Sequence, residues 1–275
     1  ALMDTDRYFI VCANILGSCY GTTGPLAIQP ETGKPWLGEF PLVTVRDLVK
    51  AHQVLREHLK IKHIHAIMGG SLGGQQAIEW CITEPGLFSW LIPVATNARA
   101  SAWGIAFNES QRMAIQADPS YGNGPDGGLN GMGAARSVAL LSYRNPITYQ
   151  STQTDPDEDK LENFRAGSYQ RHQGEKLIRR FNAYSYVTLS KCLDSHSVGR
   201  GRGGAERALA RIQARTLAVG ISTDLLFPPG EQQFIAGNIS RGRYYEIHST
   251  FGHDGFLIET EALTQIIKPF INSQL

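Results

Sequence analysis

The chain's first patterned stretch is a short, almost continuously apolar run, Arg7-Tyr8-Phe9-Ile10-Val11-Cys12-Ala13-Asn14-Ile15-Leu16. A run of that length without alternation predicts a strand buried on both faces, as in a parallel sheet. Residues 17–25 read as a small-residue loop. From Thr44 the period changes. Val45, Leu48, Val49, Leu55 and Leu59 share one face, behind a capping box Thr44-Val45-Arg46-Asp47 with Asp in place of Glu, which predicts a helix to about residue 60. A second apolar run, residues 64–68, ends in Gly69-Gly70-Ser71-Leu72-Gly73-Gly74 and passes into a helical segment with small or apolar residues at 77, 78 and 81. Residues 88–95 form a third run. This alternation of strands and helices predicts an α/β fold with a mostly parallel sheet and helices on both faces.

The pattern then changes. Over residues 99–208 the apolar strand runs give way to helical patterns and polar loops, the helices falling near 109–117, 131–142, 158–167 and 174–194. This predicts a helical insertion over the carboxyl edge of the sheet, a lid, with the glycine-rich residues 199–204 as its flexible return. Strand texture resumes at 215–221 and 244–247, and a closing helix over 255–268 should stop at Pro269. The expected organisation is a core from residues 1–98 and 209–275, with the lid at 99–208.

Composition narrows the function classes. At 275 residues the chain holds one large domain with room for an insertion. A net charge of +1 suggests no nucleic-acid or anionic-membrane partner. No apolar run approaches the roughly 18 residues of a membrane span. The opening Ala1-Leu2-Met3-Asp4 has neither an initiator methionine nor a basic-then-apolar leader, so a fragment is one expectation. Four cysteines without a C-x-x-C pair predict reduced thiols in the cytoplasm. No spacing typical of a metal site occurs.

Strand, Gly69-x-Ser71-x-Gly73 and helix together have the layout of a nucleophile elbow. The hydroxyl of Ser71 must stand out from a sharp bend, which glycines two residues to either side make room for. The Leu72 N–H at the start of the helix would face an oxyanion formed there. A plain glycine-rich turn is the alternative. A serine nucleophile needs a base, and the base an orienting carboxylate, in the chain order Ser, Asp or Glu, His for this fold class. Asp224, just past the strand at 215–221, and His253, past the last strand, occupy those places. A turn aspartate and a surface-loop histidine are the alternatives.

Four motifs make the pattern specific. They are Asn14-Ile15-Leu16-Gly17-Ser18-Cys19-Tyr20-Gly21-Thr22-Thr23-Gly24-Pro25, Gly69-Gly70-Ser71-Leu72-Gly73-Gly74, Ser195-His196-Ser197-Val198-Gly199-Arg200-Gly201-Arg202-Gly203-Gly204 and Gly252-His253-Asp254-Gly255-Phe256-Leu257. Together they resemble the homoserine O-acyltransferase family over nearly the whole chain. The resemblance implies an α/β-hydrolase core with an inserted helical lid, and a homodimer through that lid. It implies a ping-pong transfer of an acetyl group from acetyl-CoA to the side-chain hydroxyl of L-homoserine, a step of methionine biosynthesis, with Ser71, Asp224 and His253 as catalytic triad. A succinyl donor, a serine acceptor and a plain serine esterase are the alternatives.

The family pattern also implies roles for single residues. Arg136, with Tyr143 seven residues on, would bind the acceptor's α-carboxylate, and Asp254 its α-ammonium. Arg200 and Arg202 are candidates for the phosphates of coenzyme A. Residues 1–13 do not match the family's His-Ala-Leu-Thr-Gly loop, which supplies a second oxyanion donor. A chain without that loop is expected to be a piece of a longer enzyme or an impaired one, since a lost oxyanion donor costs about 10²–10³ in rate.

Overall fold

The computed structural model describes residues 2–273. In chain order its main elements are α1 (Val45–His58), β1 (Ile64–Gly70), α2 (Leu72–Thr83), β2 (Phe88–Val94), α3 (Ala102–Gln116), α4 (Leu129–Tyr143), α5 (Pro146–Gln153), α6 (Arg165–Ile178), α7 (Ala183–Asp194), α8 (Ala205–Leu209), β3 (Arg215–Ile221), α9 (Pro229–Gly237), β4 (Gly242–Ile247), α10 (Gly255–Ile258) and α11 (Thr260–Asn272). They fall into two compact units. One comprises the chain up to Ala13, Thr44–Ala100 and everything from His196; the other comprises Asn14–Val43 and Ser101–Ser195.

The first unit is built on a sheet of order β1-β2-β3-β4 with every neighbouring pair parallel. Trp90, Ile92 and Val94 point to one face and meet Leu217, Val219, Ile221, Ile247 and the α11 residues Ile267 and Ile271. Leu91 and Ala218 point to the other face, against Ala77, Ile78 and Ile82 of α2 and Ile235 of α9. Burial on both faces explains why β2 and β3 read as apolar runs rather than alternations. Because the strands are parallel, their carboxyl ends share one edge. Ser71, Thr96, Asp224 and His253 all follow strand ends along it.

The second unit is helical. Ile115, Met132, Ala135, Leu177, Ala183 and Val187 form its core. Helices α4 and α6 pack backbone to backbone, since a Cβ on Gly174 would lie 2.8 Å from the Gly133 carbonyl oxygen. Residues 14–43 belong here, although the expected boundaries put them in the sheet core. Tyr20 explains part of this, donating to the Arg180 carbonyl at 2.7 Å and packing edge-on against Phe181.

Other expectations are corrected. Residues 7–16 form no strand, and Phe9 is 80% exposed. A strand exists only with a partner to satisfy its backbone, and none of the described strands pairs with it. The helix expected at 158–167 begins at Arg165, because Asp155 accepts from the Arg165 N–H and from Lys160 and holds the chain before it in a loop. The stretch expected as one helix over 174–194 breaks between α6 and α7, where Asn182 caps α7 by accepting from the Ser185 N–H at 2.7 Å. Pro269 does not stop the last helix but lies inside α11. Beyond it Ile271 is buried and Phe270 packs on Trp90 with centroids 4.8 Å apart, so tertiary packing outweighs the lost backbone bond.

The glycine-rich residues 199–204 are a packed turn of the first unit, not a flexible return. Val198 N–H donates to the Ala98 carbonyl, and a Cβ on Gly199 would lie 2.5 Å from the Ala205 nitrogen. Arg202 reaches Glu79 of α2, Nη1 to Oε2 at 2.7 Å, and Arg46 of α1 approaches the same carboxylate at 3.3 Å. Glu79 is 1% exposed. A buried carboxylate is tolerable only with such partners. Replacing Arg202 by Met should therefore lower the unfolding free energy by about 3 kcal/mol, as for a broken buried ion pair, seen as a lower urea midpoint at unchanged slope.

Candidate active site

The site starts from backbone geometry. Ser71 has φ 54 and ψ −124, a conformation L residues avoid. Neighbouring glycines allow it. A Cβ on Gly69 would lie 2.3 Å from the Gly73 carbonyl carbon, one on Gly70 2.4 Å from Cε2 of Phe256, and one on Gly74 2.6 Å from Cγ2 of Thr96. At Gly73 a Cβ would meet nothing within 4 Å, so the room expected there is not needed for contact reasons. Helix α2 starts at Leu72, whose N–H, like the others of the first turn, has no acceptor within the helix.

Two loops bring the other chemistry together. The Asp224 carboxylate is buried, and its Oδ1 accepts from the Leu226 and Phe227 N–H groups at 2.8 and 2.9 Å. Its Oδ2 lies 2.7 Å from Nδ1 of His253, itself 5% exposed. With Nδ1 donating to the carboxylate, Nε2 is the ring's basic nitrogen. The loops are laced by backbone and hydroxyl bonds. Thr223 Oγ1 donates to the Ser249 carbonyl at 2.7 Å and accepts from the Gly252 N–H at 3.0 Å, and the Ser249 N–H donates to Ser222 Oγ at 3.1 Å. Phe227 and Phe256 flank the imidazole with centroids 5.1 and 5.2 Å away. Since Phe256 also lies on Gly70, the imidazole and the residue before Ser71 share one aromatic neighbour.

A buried polar network backs the bend. Thr96 Oγ1 donates to the Ser71 carbonyl at 2.7 Å, Gln232 Nε2 donates to the Thr96 carbonyl at 2.6 Å, and Gln75 Nε2 donates to Asn97 Oδ1 at 2.9 Å. His196, which has no matching carboxylate in the sequence around it, is buried beside the Asn97 backbone. Thr96, Gln232, Phe227 and Phe256 were all missed by sequence reasoning. For Thr96, Phe227 and Phe256 the available signal was placement, since each lies within a few residues of a strand end or of an assigned residue; Gln232, on α9, gave no such signal.

The remaining candidates divide. In the helical unit, Arg136 on α4 lies over the ring of Tyr143 at 5.3 Å. Tyr186 stands beside both, its pKa raised first by burial and then by Tyr143, and donates to Gln111 Oε1 at 2.6 Å. Asp254 directly precedes α10. Arg202 is engaged by Glu79, which weighs against a phosphate-binding role. The backbone carbonyl of neighbouring Arg200 accepts from the Arg46 guanidinium. Among the described residues no group of three His, Cys, Asp or Glu side chains is placed to hold a metal ion, and no helix is long and apolar enough to cross a membrane.

A parallel sheet flanked by helices, with a strained serine between strand and helix and a histidine–aspartate pair beyond later strands, defines the α/β-hydrolase class. The family model described as alpha/beta hydrolase fold matches residues 1–260. A homoserine O-acetyltransferase of Cyclobacterium marinum is 48% identical, the match covering 97% of this chain and 76% of that protein. Among solved structures, a homoserine O-acetyltransferase of Staphylococcus aureus is similar at 29% identity and a TM-score of 0.77, covering 95% of this chain and 72% of that one. A crystallised esterase variant is similar at 26% identity and a TM-score of 0.90, covering 99% and 80%. The chain belongs to the homoserine O-acetyltransferase family.

Burial drives the pKa of His196 down from 6.5 to about 3. In the unfolded chain this histidine takes up a proton near pH 6.5, while in the fold it stays neutral. Its contribution to stability is therefore complete above that pH and shrinks as the pH falls toward 3, by up to about 1.4 kcal/mol per pH unit. The stability of a His196→Gln variant should accordingly fall less between pH 7 and pH 5 than that of the unsubstituted chain, by about 2 kcal/mol, in urea titrations at the two pH values.

Proposed function

We propose that this chain transfers an acetyl group from acetyl-CoA to the side-chain hydroxyl of L-homoserine through a covalent acetyl-serine at Ser71. The observation that carries the reading is the buried 2.7 Å contact of His253 Nδ1 with Asp224 Oδ2, on the same sheet edge as the strained Ser71. The activity for which the relatives are named supports the choice of substrates.

In this reading His253 Nε2 takes the Ser71 proton as Oγ attacks the thioester carbon. The oxyanion rests on the Leu72 N–H. The carbon–sulfur bond breaks, the departing thiolate takes the proton from His253, and coenzyme A leaves. Homoserine then enters, its carboxylate assigned to Arg136 with Tyr143 and its ammonium to Asp254. His253 removes the proton from the homoserine hydroxyl, which attacks the acetyl carbon. The bond to Ser71 Oγ breaks, and Oγ recovers the proton. Asp224 orients the ring and stabilises the imidazolium. The same reading includes Arg200 as a contact for coenzyme A phosphates, a homodimer formed through the helical segment, a cytoplasmic setting and a role in methionine biosynthesis.

Ester hydrolysis is the second reading, favoured by the likeness to the esterase at a TM-score of 0.90. Acetate released from acetyl-CoA at the same rate with and without homoserine would support it. For transfer, replacing Ser71 by Ala should cut kcat/KM by at least ~10⁴, and Asp224→Asn by about 10⁴, in thiol-release assays. Retained transfer in the Ser71 variant would refute the reading. Arg136→Ala should raise the homoserine KM roughly 10- to 100-fold, the effect of a lost charged hydrogen bond, and leave the acetyl-CoA KM unchanged. Kinetics with acetyl and succinyl donors against homoserine and serine acceptors test the substrate assignment.

A further inference from the structure

The fold does not decide between transfer and hydrolysis, because an acetyltransferase and an esterase both match this chain structurally. Once Ser71 carries an acetyl group, the base at His253 can activate either an acceptor hydroxyl or a water. Water is far more concentrated than any acceptor, so transfer requires that it be kept from Nε2.

The surroundings of the imidazole bear on this. Its Nδ1 is occupied by Asp224. Phe227, 7% exposed, lies tilted against the ring, and Phe256 meets it nearly edge-on, with an interplanar angle of 65°. Neither phenyl ring offers a hydrogen bond, and a held water needs two to four polar partners. Phe256 is also the group that fills the space a side chain at position 70 would take, within 2.4 Å of an ideal Cβ there. It spans the imidazole on one side and the backbone just before Ser71 on the other. Its own place is set by Gly255, where a Cβ would lie 2.8 Å from Ile221 Cγ2, and by packing on the Ile221 and Ile247 side of the sheet.

We infer that Phe256 is a specificity-determining residue, a dry partition beside His253 that sets the ratio of acetyl transfer to hydrolysis, a role that rests on the acetyl-serine reading of Ser71. With the ring removed, a water beside the imidazole gives its proton to Nε2 while its oxygen attacks the acetyl carbon. The bond to Ser71 Oγ breaks, Oγ takes the proton back, and acetate leaves. No further reactant is needed.

The experiment compares the unsubstituted chain with Phe256→Leu and Phe256→Ala. Acetyl-CoA and saturating homoserine are supplied, and total thiol release, O-acetylhomoserine and acetate are measured together. The acetate fraction should rise by about tenfold in the Ala variant and by less in the Leu variant, as the apolar volume shrinks stepwise. A purely structural role would lower both products in proportion, and an unchanged acetate fraction overturns the inference. Gly70→Ala, which displaces the ring by crowding, should raise the acetate fraction too and provides the readout if the Ala variant does not fold. A chain that forms no O-acetylhomoserine overturns the acetyl-transfer reading and this inference with it. A chain that forms it, with the same partition in every variant, overturns this inference alone.

Discussion

The unfavourable backbone of Ser71 is the constraint on which the rest of the site depends. An L residue in such a conformation costs on the order of 1–3 kcal/mol and persists only where its surroundings over-determine it. Here they do. The Ser71 N–H donates to the Val94 carbonyl at 3.0 Å, tying the bend to β2. The Ser71 carbonyl accepts from the Gln75 N–H at 3.2 Å and from Thr96 Oγ1 at 2.7 Å. The second of those bonds requires Thr96 to lie against Gly74, where no Cβ fits. Thus the glycines at 69, 70 and 74 serve close approach rather than flexibility.

The second half of the site is held by a different device. Asp224 and His253 are 29 residues apart in sequence, and neither lies in a strand. Their separation is fixed because the loops after β3 and β4 exchange bonds through Ser222, Thr223, Ser249 and Gly252 before the imidazole and carboxylate meet. Both Asp224 oxygens are engaged, one by backbone amides and one by the ring, so the carboxylate cannot turn away without leaving a buried polar group unpaired. A rigid carboxylate gives a rigid ring. A misplacement of about 1 Å at such a group can cost on the order of 100-fold in rate.

Much of this was legible in sequence for identifiable reasons. The strands at 88–94 and 215–221 announce themselves as apolar runs because both faces of the sheet are covered there, and the bend at Ser71 because its glycines are obligatory. The order of Ser, Asp and His follows from the strand order. What failed, failed through context. Residues 7–16 have strand composition but no partner ladder, and the same run of side chains is largely exposed. Pro269 carries a stop signal that burial of Ile271 overrides. Phe256 was visible only as part of a motif, because its partners lie at positions 70 and 253, a relation that no local period encodes.

Arg202 shows why charge near a motif is weak evidence for a ligand. In sequence, two arginines among glycines look like a phosphate cradle. In the fold the glycines let the turn close against itself, and Arg202 is drawn onto Glu79, a carboxylate buried on the helix that begins beside the nucleophile. Glu79 requires positive partners in any case, because an isolated charge at 1% exposure would be prohibitively desolvated. Serving a substrate phosphate with Arg202 would mean stripping Glu79 of a partner, and the attraction gained at a wetter surface could not offset that loss. The Arg202 charge therefore anchors the 196–204 segment to α2.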